Sequence, residues 1–188
     1  MKKMSMLFAV FIDRLNLAIA LVIFPSMFLD GSYSGLLASV PTSIKPIFLG
    51  ITLSVYFIGQ FFSNGIFGRL SDSYGRKRIF MMTFSGTLVG FGVTALAIDL
   101  QLLWLLLIGR LIAGIFAANQ AVAFSAMNDI STKQTKMHNF AVLEMAQASG
   151  FTSAGLLGGF LSNSKICSWF SYSLPFWTIA VLVFLNLI

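Results

Sequence analysis

Apolar residues fall along the chain in six blocks separated by short polar breaks. The blocks run from Met4 to Leu29, Pro46 to Phe67, Ile79 to Ile98, Leu102 to Met127, Asn139 to Leu161, and Tyr172 to Ile188. Crossing about 30 Å of hydrocarbon at about 1.5 Å per residue takes roughly 20 apolar residues, with every backbone amide bonded inside the segment. The pattern therefore predicts an all-α membrane protein with six transmembrane helices. The sixth block has 17 residues, about 25 Å of helix, and the expectation is that this span is incomplete at residue 188. The start MKKMSMLFAVF has the look of a secretion signal, but Asp13 and Arg14 interrupt it and no small-x-small cleavage site follows. A retained first helix is expected.

Composition reinforces the membrane assignment. Of 188 residues, 57% are hydrophobic and 10% charged, against about a quarter charged in a soluble domain, and the mean hydropathy is +0.90. Twelve Lys and Arg against six Asp and Glu give a net positive chain. They sit between apolar runs and build no basic face, so nucleic acid is not an expected partner. Their distribution sets a topology instead. With the N-terminus cytoplasmic, Lys2, Lys3, Arg69, Arg76, Lys77, Arg78, Lys133 and Lys136 lie inside and Lys45 and Lys165 outside, the asymmetry that orients helices in the cell (inner) membrane. Trp104, Trp169 and Trp177 fall near the outer surface as interfacial anchors.

Four charges lie within spans: Asp13, Arg14, Arg110 and Glu144. Charge at that depth is costly enough to mark function. Asp13 sits roughly 13 Å from the cytoplasmic end of its span and Arg110 roughly 12 Å from the outer end of its own, so their depths differ by about 5 Å. A pair between them would hold the carboxylate ionised, and moving Arg110 away would favour protonation, a way to load and unload a proton. Arg14 is the alternative partner of Asp13, or it snorkels. Glu144 is either a second proton-carrying carboxylate or part of a cavity wall.

Catalytic constellations are absent from the sequence. There is no phosphate-binding loop, no His pair at metal-ligand spacing, and one cysteine, Cys167. No enzyme activity, cofactor or metal is expected.

One stretch concentrates charge: GRLSDSYGRKRIF, from Gly68 to Phe80. Gly68 allows close helix approach, Gly75 allows a positive φ where the chain reverses, and Arg76, Lys77 and Arg78 anchor the next span at the anionic leaflet. It reads as a tight cytoplasmic turn between the second and third spans. Gly68, Leu70, Ser71, Asp72, Gly75, Arg76 and Lys77 also meet every specified position of a signature loop, and through it the chain resembles the major facilitator superfamily. The resemblance implies a conformational switch in which Arg76 holds Asp72 at the dipole of a helix in the other half of the transporter.

In the fourth span, Arg110 and Gly114 resemble the family's Arg-x-x-x-Gly motif, and Asp129 fills the place of an Asp that joins the loop arginine in a charge relay. In the fifth, Gly150, Gly158 and Gly159 resemble an antiporter motif whose Gly-Pro pair is replaced by Ala154 and Gly155; these five small residues are expected to pack helices. The chain is most similar to the proton-coupled multidrug and tetracycline exporters, while Asp13, Arg14 and Asn16 also resemble the start of the organic-anion symporters.

The resemblance implies one six-helix half of a major facilitator fold over residues 1–188, here the N-terminal half, in which the first and fourth spans line a central cavity. Asn119 and Gln120 then either face that cavity or bond between helices. The expected function is secondary active transport, proton-coupled efflux of a small amphiphilic compound, with protons, that small molecule, the lipid bilayer and a second six-helix half as partners. That half would be the same chain continued, a separate chain or a homodimer. A truncated half without activity, or a membrane assembly partner, is the alternative.

Overall fold

The computed structural model describes residues 3–29, 36, 40–162, 167 and 169–187, and among these all regular structure is helical. The helices are α1 (Lys3–Leu29), α2 (Lys45–Tyr74), α3 (Arg76–Asp99), α4 (Leu103–Ile115), α5 (Asn119–Asp129), α6 (Lys136–Leu161) and α7 (Leu174–Leu187). Four helices are long and apolar enough to cross a membrane: α1, α2, α3, and α4 with α5 taken as one interrupted helix. Helix α6 has the length, 26 residues, with a more polar composition, and α7 has 14 residues.

Helix α1 is the central element, packed chiefly against α6 and also touching α2, α5 and α7; α4 lies against α3 and α2, and α7 against α3. Lipid supplies no hydrophobic force between helices, so close backbone approach through small residues has to hold such a bundle. Gly114 lies directly on the Tyr56 carbonyl of α2, and Gly150 directly on the Phe11 carbonyl of α1. Gly59, Gly90 and Gly109 make comparable approaches. The outer face of α2 is a run of exposed aromatics, with Phe61 76% and Phe62 64% exposed, which suits a surface met by hydrocarbon.

Two sequence expectations are corrected here. The stretch around Gly68 is a continuation of α2 through Tyr74, not a loop, and the reversal is confined to Gly75 at φ 89°. At 30 residues, or about 45 Å, α2 outlasts the hydrocarbon and carries the motif beyond it on rigid helix. The block from Leu102 to Met127 is not one continuous helix. At Phe116–Ala118 the Ala117 amide bonds back three residues to Gly114 (3.0 Å), and the Ala117 carbonyl accepts from Gln60 Nε2 at 3.5 Å. A tightened turn of this kind restarts the helix at Asn119.

The small-residue expectations divide. Gly150 packs on α1, Ala154 four residues on is fully buried, and Gly158 has Ile19 in ordinary contact distance. Gly68, Gly155 and Gly159 have nothing within 4 Å of where a Cβ would stand, so among the described residues they pack no helix. Three of the five fifth-span positions thus share one face of α6, and Gly155 and Gly159 lie off it.

Candidate functional site

At one end of the bundle the start of α1, the junction of α2 and α3, the end of α5 and the start of α6 come together. Gly75 turns the chain so that Arg76, at the first position of α3, faces back onto α2. Its Nη1 lies 2.6 Å from Asp72 Oδ1 and donates to Ser71 Oγ at 2.5 Å, while Nε donates to Asp129 Oδ2 at 2.9 Å. Ser71 in turn donates to the Gly68 carbonyl at 2.7 Å. One guanidinium thus ties the ends of α2, α3 and α5, with Arg76 25% and Asp72 63% exposed. Arginine suits the task because its planar fork presents several donors at once. Asp72, Arg76 and Asp129 are the three residues that the sequence motif grouped. Nearby, Lys3 Nζ donates to Asn139 Oδ1 at 2.7 Å, and Asn139 Nδ2 to Ser131 Oγ at 2.8 Å. Lys2 and Lys165 lie outside the described residues. Lys77 joins Arg76 and Asp129 around a small cleft beside Met6.

Deeper in the bundle the polar residues form two groups. In the first, Asn119, at the start of α5, donates from Nδ2 to Asp13 Oδ1 at 3.5 Å and accepts from Thr83 Oγ1 at 2.6 Å. All three are buried. In the second, Arg14 Nε donates to Gln147 Oε1 at 2.8 Å, Arg14 Nη2 donates to Gln120 Oε1, and Gln120 Nε2 donates to the same Gln147 Oε1 at 2.8 Å. The two groups are separate because successive helical residues do not share a face, so Asp13 and Arg14 point apart.

Arg110 belongs to neither. It is 1% exposed, none of its guanidinium nitrogens has a hydrogen-bond partner among the described residues, and its Cζ lies 4.4 Å from the Tyr56 ring centroid and 5.3 Å from that of Phe24. The expected pair with Asp13 does not form. Gly109 and Gly114 bring α4 down onto α3 and α2, and this turns the Arg110 side chain onto the aromatic rings, where a desolvated cation is held by the ring faces. Asn16 is fully buried and its amide atoms have no partner among the described residues; Glu144 is exposed on α6.

Sequence reasoning missed Gln147, Thr83, Tyr56 and Phe24. Gln147 carried a signal: it is an amide side chain within an apolar block, the kind of residue that hydrogen-bonds between membrane helices. Thr83 and the two aromatics carried none, since such residues are ordinary in membrane helices.

At the opposite end, Trp177 Nε1 donates to Asp99 Oδ2 at 3.0 Å, and Trp104 stands exposed in the first turn of α4. A cation-rich end and an aromatic end are the two rims of a multi-pass membrane protein.

This is an α-helical, multi-pass membrane protein with ionisable and amide side chains gathered inside its bundle. Residues 6–188 match the pattern of the Major Facilitator Superfamily, and the chain belongs to that family, which comprises transporters rather than enzymes. It is similar to the tetracycline resistance protein, class H, of Pasteurella multocida (36% identity over 61% of this chain and 28% of the relative) and to the tetracycline resistance protein, class E, of Escherichia coli (26% over 96% and 42%). It is also similar to the major facilitator superfamily domain-containing protein 10 of Mus musculus (29% over 64% and 26%). The chain spans less than half the length of these curated relatives.

Proposed function

We propose that this chain is the N-terminal six-helix half of a secondary active transporter of the inner membrane, exporting a small amphiphilic compound in exchange for protons by alternating access. The reading counts α6 and α7 as spans and sets the N-terminus in the cytoplasm. It is supported by Lys3, Arg69, Arg76, Lys77, Arg78, Lys133 and Lys136 at one end of the bundle against Lys45 at the other.

The observation that carries it is the double tether of Arg76 to Asp72 and Asp129. A charge-paired junction of three helix ends, standing outside the hydrocarbon, is a natural latch for rocking one half against another. Closed, it fixes the cytoplasmic ends of α2, α3 and α5 as one body; opened, it frees them. Asp13, held by one long contact from Asn119, is the carboxylate assigned to the proton. The similarity to tetracycline resistance proteins supports efflux of an amphiphile.

The test is flux in proteoliposomes. Tetracycline and a panel of amphiphiles are offered with and without an imposed proton gradient to the protein together with the second half that completes it. Gradient-dependent accumulation of at least one compound is expected; flux indifferent to the gradient for every compound overturns proton coupling.

A further inference from the structure

Between α5 and α6 a turn carries charge that neither the Arg76 junction nor the interior groups use. Lys133 and Lys136 line an open cleft of about 360 Å³ together with Met137 and Phe140. The turn is firmly built. The amides of Thr135 and Lys136 donate to the Thr132 carbonyl at 3.1 and 2.9 Å, and the Thr132 amide donates to Thr135 Oγ1 at 3.0 Å. Phe140 is braced by Phe124 of α5, with ring centroids 5.6 Å apart, and its own centroid lies 5.9 Å from Lys136 Nζ.

Both lysines are exposed and lack a counter-charge, since the two ion pairs among the described residues belong to Arg76. Asp129 is occupied there, and Glu144 stands two turns beyond Lys136, about 12 Å along α6. The level of the cleft is marked from α1: Lys3 Nζ, at the start of that helix, bonds Asn139 Oδ1 in the first turn of α6. The cleft therefore opens at the rim of the bundle, where headgroups give way to hydrocarbon. Met137 is 85% exposed at that level, an apolar side chain better placed against acyl chains than against water.

We propose that the cleft binds the headgroup of an anionic phospholipid, with its phosphate between Lys133 and Lys136 and the head of an acyl chain along Met137 and Phe140. Two ammoniums without a counter-charge beside an apolar wall match the two ends of that molecule. A free phosphate would use the ammoniums and leave the wall idle, and a zwitterionic lipid would set its own cation against the lysines. The site goes beyond the transporter reading and does not rest on it, because it needs only a multi-pass protein in a bilayer.

The test is lipid retention by the purified protein in detergent, titrated with dioleoylphosphatidylglycerol or dioleoylphosphatidylcholine and read by native mass spectrometry. The first phosphatidylglycerol is expected to be held about tenfold or more tightly than phosphatidylcholine. Lys133→Gln with Lys136→Gln should bring the two lipids to one affinity. Arg69→Gln with Arg78→Gln removes as much charge from the same end of the bundle and should leave the preference intact. Met137→Gln, which keeps both ammoniums, should weaken phosphatidylglycerol binding severalfold. Glycerol 3-phosphate, the same phosphate without chains, should fail to displace the lipid at equal concentration. Equal affinity of the two lipids for the wild type, the same loss of preference in both double variants, unchanged affinity in Met137→Gln, or displacement by glycerol 3-phosphate overturns the proposal.

Discussion

Arg76 Nε and Asp129 Oδ2 meet at 2.9 Å across 53 residues of sequence, joining the first residue of α3 to the last of α5. The same guanidinium holds Asp72. Both carboxylates are at least half exposed, and exposed ion pairs contribute only about 0–1 kcal/mol each. Stability is therefore not what the arrangement adds. Arg76→Gln should lower the thermal midpoint of the detergent-solubilised protein by no more than a few degrees, since about 1 kcal/mol shifts a chain of this size by about 2–4 °C. A collapse of folded yield in that variant would make the junction a structural clamp.

Gly75 is the hinge of this junction. At φ 89° and ψ 134° any side chain is strained, at a cost of about 1–3 kcal/mol. Gly75→Ala should cut flux more than it cuts folded yield, because the strain is relieved by re-aiming Arg76. Solvent accessibility of Ala126→Cys, a buried position beside the same cleft, reports this directly and should rise.

Packing glycines separate by position. Gly114→Val puts a branched side chain on the Tyr56 carbonyl, and overpacking of this kind costs about 1–3 kcal/mol. The same expectation holds for Gly150→Val on Phe11. Gly155→Ala and Gly68→Ala meet open space and should leave the thermal midpoint unchanged or slightly raised, since alanine is the better helix former. A midpoint scan of the four variants checks the division.

The aromatic seat of Arg110 gives a graded prediction. Tyr56→Phe keeps a ring beneath the guanidinium and should be tolerated. Tyr56→Leu removes it from a cation with no hydrogen-bond partner among the described residues, at about 2 kcal/mol or more when desolvated. Midpoints for both variants, and for each combined with Arg110→Met, check the coupling: in the Arg110→Met background the two should converge.

What the sequence made legible follows from what one-dimensional patterns encode. Runs of apolar residues mark spans, so the four apolar helices and the C-terminal end of α6 emerged from them, while α6 begins at Lys136, three residues before the apolar block. A motif with fixed offsets marks a local constellation, so Asp72, Arg76 and Asp129 could be grouped from their positions along the chain. Depth along a helix is countable from residue number, and on that count Asp13 and Arg110 are expected about 5 Å apart. The direction a side chain takes around its helix is not: it depends on which neighbour a glycine admits. Gly109 and Gly114 turned Arg110 to Tyr56 and Phe24 and left Asp13 to Asn119. The break at Phe116–Ala118 was hidden for a like reason, since no Pro marks it and the turn is satisfied by a distant Gln60.

The central claim is that the Arg76 junction switches the protein between its transporting states, and charge exchange tests it most directly. Proton-driven flux is measured in proteoliposomes for the wild-type transporter, for Arg76→Glu, and for Arg76→Glu combined with Asp129→Arg. The single variant should insert normally and lose about tenfold or more of the flux, within the range of coupling between distant states, and the exchange should recover a substantial part. Wild-type flux in Arg76→Glu would contradict the account.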